Sequence, residues 1–494
     1  MEMSQRHLFN KYNVSDEILS KKIKDISIAN GRALINHNRI DLVAKHIYID
    51  SKVLNKNREF SKELYASHIS AFTHGKFIEQ GQEGKKKGVD SFFKVFDDLI
   101  EEIESNGFDA SLSRVPVDKD FVIMDGAHRT AVCSYFNLPI EVSQFNTSTP
   151  AYNYAFFKER MLEPKYLDFI IHRYIQISNK NIYTLCLWPK AYKDKDRVRS
   201  ILKDNVDIVY EKEVLLTPTG AHSFVTQIYH HHDWVGTPKN GFKGSVNKVD
   251  ACFDGKNPLT VFVMETNSSL DEILVLKEQI RSLFNYGKHS VHITDNQEET
   301  EQISELLLNA NSIYQMNNGN AFKYYKGINK LLDFKERLQK NNYDYKEIIL
   351  DGSGPMEAFG LREASDLDFI SDQNVPNWDD YAKRTKSELV KLYGDNVDHL
   401  QSPEAYFYFF GLRFLTLDKV LEGKKKRNEK KDNLDAEIIV KFLRSNSINR
   451  YEEAMFKLKK RRLHWKRNLK TIVGDLLRRL GLLDIIKSIL KRLT

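Results

Sequence analysis

Short apolar runs of strand length alternate with longer amphipathic runs of helical periodicity along most of this 494-residue chain. Alternating strands and helices pack as layered units in which helices cover a small sheet. A single hydrophobic core rarely organises a chain of this length, so several units in series are expected. The pattern therefore predicts a multidomain protein of α/β and α+β class.

The composition supports packed, intracellular-type domains, because 41% of the residues are hydrophobic. The three cysteines, Cys133, Cys186 and Cys252, lie far apart and form no CxxC pair. This spacing argues against a disulfide framework or a structural zinc site, and it favours a reducing compartment. We see no signal-peptide pattern and no apolar run long enough for a membrane-spanning helix. We therefore expect a cytoplasmic protein.

Basic residues concentrate in the segment 455–494, which holds thirteen Lys and Arg against two Asp. This segment carries +11 and the whole chain +7, so the other residues carry −4. Its apolar residues recur at helical spacing, which is typical of an amphipathic helix lying on an anionic membrane surface, here at the inner membrane face. A helix packed on the body, or a basic arm for nucleic acid or a protein, is the alternative. The acidic body argues against nucleic acid as the partner.

Pattern alone divides the chain into four predicted segments, 1–150, 151–322, 323–454 and the basic tail 455–494. Within them, residues 42–50 (LVAKHIYID) resemble a strand. Residues 90–106 predict an amphipathic helix that ends at Gly107. Residues 406–427, which begin YFYFFGLRFL, are predicted to be helical.

Two carboxylates in the third segment have the spacing of a metal site. A predicted strand ends at Gly352-Ser353, and a second predicted strand carries Asp366 and Asp368. Residues i and i+2 of a strand face the same side, so both carboxylates are expected to point together and hold a hard cation such as Mg²⁺. Gly352 lets a phosphate approach the backbone, and Ser353 can donate to it. A solvated pair of loop aspartates is the alternative.

Residues 325–450 resemble the nucleotidyltransferase superfamily, in which a strand-end Gly-Ser precedes an Asp-hydrophobic-Asp strand. The resemblance implies Mg²⁺ and a nucleoside triphosphate (ATP or CTP) as cofactor and substrate. It also implies a third metal-binding carboxylate from a later strand, and Asp398 is the candidate for that ligand.

A second candidate phosphate site is the predicted turn at Asp125, Gly126, Ala127, His128 and Arg129 between a strand, DKDFVIM, and a helix. A helix N-terminus with adjacent cationic side chains favours phosphate binding. In this position the aspartate can act as a base or a metal ligand, the histidine as a donor and the arginine as a phosphate fork.

Residues 60–145 look like the ParB/sulfiredoxin-like fold, whose signature is Asp-Gly-His-His-Arg; Ala127 replaces one histidine here. This fold includes partition-type CTPases, nucleases and free-serine-kinase-like enzymes. In a kinase of this type, Glu79 would deprotonate the acceptor hydroxyl and Lys86 would neutralise the transferred group. A flexible charged surface loop is the alternative for residues 77–88.

The middle segment is similar to nucleoside-diphosphate kinases of ferredoxin-like fold, at residues 182–192 and 276–303. The resemblance implies that His292 is a nucleophile, that Arg281 binds phosphate and that Glu299 or Glu298 orients the imidazole. Trp188 stands where this family has a lysine, so an inactive copy of the fold is the alternative. The run from His230 to His232 is predicted to be a surface cluster.

Together these features predict an enzyme of phosphoryl or nucleotidyl transfer that activates a small hydroxylated metabolite. Surface-polysaccharide biosynthesis is the expected context, by analogy. The competing hypotheses are a ParB-like DNA-associated regulator, a nucleotidyltransferase of toxin–antitoxin type, and a scaffold of inactive domains.

Overall fold

The computed structural model describes residues 23–78, 86–111, 114–394 and 397–446, together with 458–459, 461–463, 465–467, 469 and 473. The chain is a mixed α/β protein with three small sheets in these residues. Among them, no helix is both long and apolar enough to cross a bilayer. Cys133, Cys186 and Cys252 are buried and form no disulfide. Most of the basic segment 455–494 lies outside the described residues.

The first sheet belongs to residues 23–145 and has the strand order β1-β3-β2. The elements are β1 Ile23–Asn30, α1 Asp41–Leu54, α2 Arg58–Thr73, α3 Val89–Asn106, β2 Val115–Val117, α4 Ala127–Tyr135 and β3 Pro139–Phe145. Strand β3 pairs antiparallel with β1 and parallel with β2. Helix α1 packs against both α2 and α4.

Three local expectations for this region can be compared with the structure. Residues 42–50 are not a strand but part of helix α1, whose side chains are buried on nearly every face. A helix buried all round has no polar stripe, so its short apolar run resembled a buried strand. The run DKDFVIM forms a turn with one isolated bridge, and the strand lies just before it, at β2. Helix α3 ends at Gly107 as predicted, with a φ of 76° at that glycine.

The second sheet is fully antiparallel, with the order β5-β6-β4-β7. The elements of this region are α5 Tyr154–Glu159, α6 Pro164–Ile177, β4 Asn181–Leu187, α7 Lys195–Asn205, β5 Asp207–Val214, α8 Pro218–Tyr229, α9 Lys243–Cys252, β6 Leu259–Thr266, α10 Leu270–Arg281, β7 Val291–Ile293, α11 Gln297–Leu307 and α12 Ala310–Asn318. Tyr183, Leu185 and Leu187 pack with α7 and α10, whereas Ile182 and Cys186 face the opposite side.

The third sheet has the order β10-β9-β8-β12-β11. The elements are α13 Tyr325–Lys340, β8 Ile349–Asp351, α14 Gly354–Ala358, β9 Leu367–Ile370, β10 Tyr381–Lys383, α15 Lys386–Tyr393, β11 Tyr406–Phe409, β12 Leu412–Leu415, α16 Leu417–Arg427 and α17 Lys430–Ser445. The predicted helix at 406–427 is wrong over its first half, which is a hairpin. Phe410 and Gly411 both have positive φ, as tight antiparallel turns require, and the aromatic run favours strands.

The hydrophobic cores cross the predicted segment boundaries. Val209 and Val263, from the second sheet, belong to the same core as helices α1 and α6. Val235 and Phe242, from the connection between α8 and α9, belong to the core of the third sheet. The three regions are therefore packed against one another through apolar side chains.

Asp398 forms a polar link between the first and third regions. Its two carboxylate oxygens accept the backbone N–H groups of Asn57, at a short distance, and of Arg58, at 2.6 Å. These are the unsatisfied donors at the start of α2, where Asn57 makes no side-chain cap of its own. Asp398 is thus a helix cap and not the third metal ligand that was predicted for Asp366 and Asp368.

We expect Asp398→Ala to lower the free energy of unfolding by about 1 kcal/mol, the usual cost of losing an N-terminal helix cap. Asp372→Ala is the control, because it removes an exposed carboxylate that pairs with neighbouring Lys56 at 2.8 Å. That exposed pair should contribute less than about 0.5 kcal/mol. Denaturant unfolding of the two variants measures the difference, and equal losses would contradict the capping role.

Candidate functional site

The predicted turn at Asp125–Arg129 borders a cavity of about 580 Å³ in the first region. Five residues singled out from the sequence line it, and they are Lys86, Asp125, Gly126, His128 and Arg129. The cavity is large enough for a small-molecule ligand. Glu79, the predicted base, lies outside the described residues.

Gly126 makes this turn possible. Its φ is 79°, in the left-handed region, and a Cβ there would come within 2.8 Å of Nη2 of Arg129. Its backbone N–H donates to Oδ1 of Asp125 at 2.7 Å. Helix α4 begins at the next residue, Ala127, so the N-terminal dipole of α4 lies at the cavity wall.

A buried ion cluster from the start of α1 forms another wall, and sequence reasoning missed it. Arg39 donates to both oxygens of Asp41, at 2.7 and 2.9 Å, and Lys45 donates to the same carboxylate at 2.9 Å. Burial raises the pKa of Asp41, but Arg39 and Lys45 outweigh it and hold that pKa far below its usual value. Lys45 lies within residues 42–50, whose sequence resembles a strand, so its position at a cavity was not evident from the sequence.

Two histidines complete the cavity, the buried His68 and the half-buried His128. Burial is the main cause that lowers the pKa of both imidazoles well below the usual value, and the nearby Lys45 lowers it further. Both rings are therefore neutral near neutral pH. Tyr65 Oη lies 2.7 Å from Nε2 of His128, whereas His68 has no hydrogen-bond partner within the described part of the chain. A buried imidazole without a hydrogen-bond partner favours the binding of a polar ligand.

In the third region, the structure brings the predicted bend and the aspartates together. Gly352 has a φ of 67°, and a Cβ there would come within 2.4 Å of Oδ2 of Asp368. Asp366 is exposed and Asp368 half-buried, on either side of the buried Leu367. Burial raises the pKa of Asp368, and the charge of Asp366 raises it as well. Ser353 is buried at the start of α14.

A guanidinium stands between the carboxylates of this site. Arg384 Nη2 lies 2.6 Å from Oδ2 of Asp368, and its Nε lies 3.3 Å from Oδ2 of Asp351 on the adjacent strand. Tyr393 Oη also donates to Asp351 at 2.6 Å. Asp368 therefore already has a cationic partner, Arg384. Asp398 instead lies at the start of helix α2, in the first region. The three predicted ligands do not form the Mg²⁺ site that the resemblance implied.

In the middle region, His292 and Glu299 meet as predicted. His292 Nε2 lies 2.9 Å from Oε1 of Glu299, although the contact lacks the geometry of a hydrogen bond. The pKa of Glu299 is lowered overall, because its contacts with His292 outweigh the effect of burial. Arg281 is engaged with Glu278 at 2.6 Å, and His292 is almost fully buried beside Tyr229. The imidazole of His292 is thus largely shielded from a nucleotide, whereas Glu299 is half-buried.

One further cluster was not predicted. Within the described residues, a single group of three metal-ligand types has its atoms within 4.8 Å of one another, and it is His37, Asp207 and Glu265. Lys180 lies 3.1 Å from the same oxygen of Glu265 that His37 contacts at 2.7 Å. Tyr174 donates to the other oxygen. These contacts already satisfy the carboxylate, so the cluster acts as a polar link between the first and middle regions.

We expect Arg384→Ala to make Asp368 available to a divalent cation, because among the described residues Arg384 is the cationic side chain paired with this carboxylate. Mn²⁺ binding, followed by electron paramagnetic resonance, should appear in this variant and be lost again when Asp368→Ala is added. The variant should also lose about 1 to 3 kcal/mol of stability, because a half-buried pair is broken.

Arg362→Ala is the matched control, since it removes a more exposed guanidinium that pairs with Asp435. Stoichiometric Mn²⁺ binding to the unmodified chain that depends on Asp368 would contradict the blocking role of Arg384.

No family model and no curated protein matches this chain. The site residues and their contacts therefore carry the functional argument.

Proposed function

We propose that this chain transfers a phosphoryl group from ATP or CTP to a small hydroxylated metabolite, at the cavity bordered by Asp125–Arg129. One observation carries the proposal. The N-terminus of a nine-residue helix and four cationic side chains, Arg39, Lys45, Lys86 and Arg129, border the same cavity, which the carboxylates of Asp41, Asp98, Glu102 and Asp125 also line. Phosphate groups are bound in proteins by this combination of cations and helix N-termini.

Each group has a role in this proposal. Arg129 and Lys86 neutralise the phosphates, and the α4 N-terminus donates backbone N–H groups to them. Arg39 and Lys45 exceed the charge of Asp41 by one, so their cluster attracts an anion. Neutral imidazoles can donate or accept hydrogen bonds without adding repulsion.

The chemical step is an in-line displacement. The acceptor hydroxyl oxygen attacks the terminal phosphorus, its proton passes to Asp125, and the bond to the bridging oxygen breaks. The nucleoside diphosphate leaves with the bonding electrons. Magnesium enters with the nucleotide as part of the substrate.

Strand order in the middle region, and backbone conformation at two glycines, support the finer fold assignments that the sequence suggests. The order of elements β4-α7-β5, then β6-α10-β7, in an antiparallel sheet, favours a ferredoxin-like middle region. The Gly352 bend beside Asp368 favours a nucleotidyltransferase-like third region. For the first region, the left-handed Gly126 before α4 favours the ParB/sulfiredoxin-like assignment.

Nucleotidyl transfer at Asp366 and Asp368 is the second candidate function. The close approach of Asp368 to the Gly352 bend supports it, and the contact between Arg384 and Asp368 opposes it. Such a site would become competent only when Arg384 moves away. A role in surface-polysaccharide biosynthesis at a membrane face rests on the composition of segment 455–494.

The products separate the two functions. The full chain is incubated with ATP or CTP, Mg²⁺ and a panel of sugars, polyols and hydroxy amino acids. Release of nucleoside diphosphate indicates phosphoryl transfer, and release of pyrophosphate indicates nucleotidyl transfer. Asp125→Asn should abolish the first product and leave the second, and Asp368→Asn should do the reverse. Diphosphate release that survives Asp125→Asn would overturn the proposed site.

Nucleotide binding provides a test that does not depend on finding the acceptor. We expect Lys86→Gln to weaken ATP binding about tenfold, because one charge-assisted contact with phosphate is lost. Lys87→Gln is the matched control, since the adjacent lysine is exposed and does not line the cavity. Isothermal titration calorimetry measures both affinities, and an equal loss in both variants would indicate only a general charge effect.

A further inference from the structure

A second cavity, of about 500 Å³, lies between the middle and third regions. Helix α11 supplies one wall, the three histidines after α8 supply another, and α13 with the turn before β8 supplies the rest. The predicted surface cluster of histidines is therefore part of a concave site. Its volume falls in the range of small-molecule pockets.

Carboxylates dominate this cavity. The acidic side chains that line it are Asp295, Glu298, Glu299, Glu301, Glu305 and Glu336, and the cationic ones are Lys335 and Lys346. Four of the acids have ion-pair partners, and the pairs are Asp295 with Lys277, Glu299 with His292, Glu301 with Lys346 and Glu336 with Lys340. Glu298 and Glu305 have no hydrogen-bond or ion-pair partner among the described side chains.

Glu305 is the observation that points to a ligand. Its side chain lines the cavity, yet the residue is only 5% exposed. Burial raises the pKa of its carboxyl group to about 7, even though Lys346 and Lys335 act in the opposite direction. A buried acid without a partner is costly unless a cation or a proton neutralises it.

The histidines of this cavity offer hydrogen-bond acceptors. Burial lowers the pKa of His230 and of His231, so both imidazoles are neutral at neutral pH. His230 Nδ1 lies 2.8 Å from the carbonyl oxygen of Gln227 and donates to it, which leaves Nε2 as an acceptor. Carboxylates and neutral imidazoles together fit a ligand that donates several hydrogen bonds and carries positive charge.

We propose that this cavity binds a linear organic polyamine, with Glu298 and Glu305 as the partners of two of its ammonium groups. These residues lie on one face of α11, seven positions apart, which corresponds to roughly 10 Å along a helix. A ligand with ammonium groups at that separation reaches both carboxylates. This site is independent of the proposed phosphoryl transfer.

A bare metal ion fits the cavity less well. Within the described residues, the atoms that could ligate a metal form a tight group only at His37, Asp207 and Glu265, outside this cavity. The cavity volume also far exceeds that of a single ion and its ligands.

Calorimetric titration of the full chain with spermidine tests the proposal. We expect one binding site, and a loss of affinity of about tenfold in Glu305→Gln and in Glu298→Gln, because each removes a charge-assisted contact. Glu437→Gln is the control, since Glu437 is exposed on α17 and outside the cavity. Glu298 is exposed, so its variant should fold even if the variant at Glu305 does not.

Three outcomes would overturn the proposal. Spermidine could bind to both cavity variants as it does to the control, which would indicate general attraction to an acidic surface. Titration with Mn²⁺ could give one site that depends on Glu305 while spermidine gives none, which would assign the cavity to a metal. Spermidine could also fail to bind the unmodified chain.

The pH dependence of spermidine affinity provides a second readout. The titratable groups facing Glu305 are Glu301 on its own helix, Lys335 on α13, Tyr345 and Lys346 before β8, Arg413 on β12 and Tyr408 on β11. Because the pKa of Glu305 is raised to about 7, this carboxyl is protonated at lower pH, and binding of a cation must release that proton. Spermidine affinity should therefore rise from about pH 6 to about pH 8, and this rise should disappear in Glu305→Gln.

Discussion

The first region depends on the buried carboxylate of Asp41, which is paired with two cationic side chains. Asp41 is 1% exposed and accepts hydrogen bonds from Arg39 and Lys45. Arg39 also donates to the carbonyl oxygen of Ile123, just before the turn that carries Asp125. The cluster therefore holds α1 against that turn, and it leaves one positive charge without a counter-ion inside the cluster. The carboxylates of Asp98, Glu102 and Asp125 also line the cavity, so the excess positive charge favours an anion only at the wall formed by Arg39 and Lys45.

The sites also depend on how the regions meet. Glu265, at the end of β6, is fully buried and is contacted by His37 from the first region and by Tyr174 and Lys180 from the middle region. The cavity beside Glu305 exists only because α11 faces α13 and the turn before β8. Contacts between regions thus create one of the two cavities and stabilise the relative position of the elements around the other. Mutations at these contacts would disturb ligand sites without touching a ligand.

The errors of the sequence reasoning have specific physical causes. The sequence of helix α1 resembles a strand because its buried faces leave no polar periodicity. The aromatic hairpin before α16 resembles a helix in sequence because the tight turn at Phe410 and Gly411 lies within a continuous apolar run. The metal-binding role predicted for Asp398 comes from the family resemblance, and a carboxylate looks the same in sequence whether it binds a cation or caps a neighbouring helix.

The sequence by itself determined the α/β class, the end of α3 at Gly107, the Gly126 turn at the start of a helix, and the bend at Gly352 with its neighbouring aspartates. These features depend on local backbone preferences and on the period of side chains along a strand, which a sequence displays directly. Only the tertiary structure decided that Lys45 faces the first cavity, that Arg384 contacts Asp368, and that Glu305 has no partner among the side chains the structure describes. Such facts depend on contacts between residues far apart in the chain, and neither spacing nor composition encodes which charge will meet which.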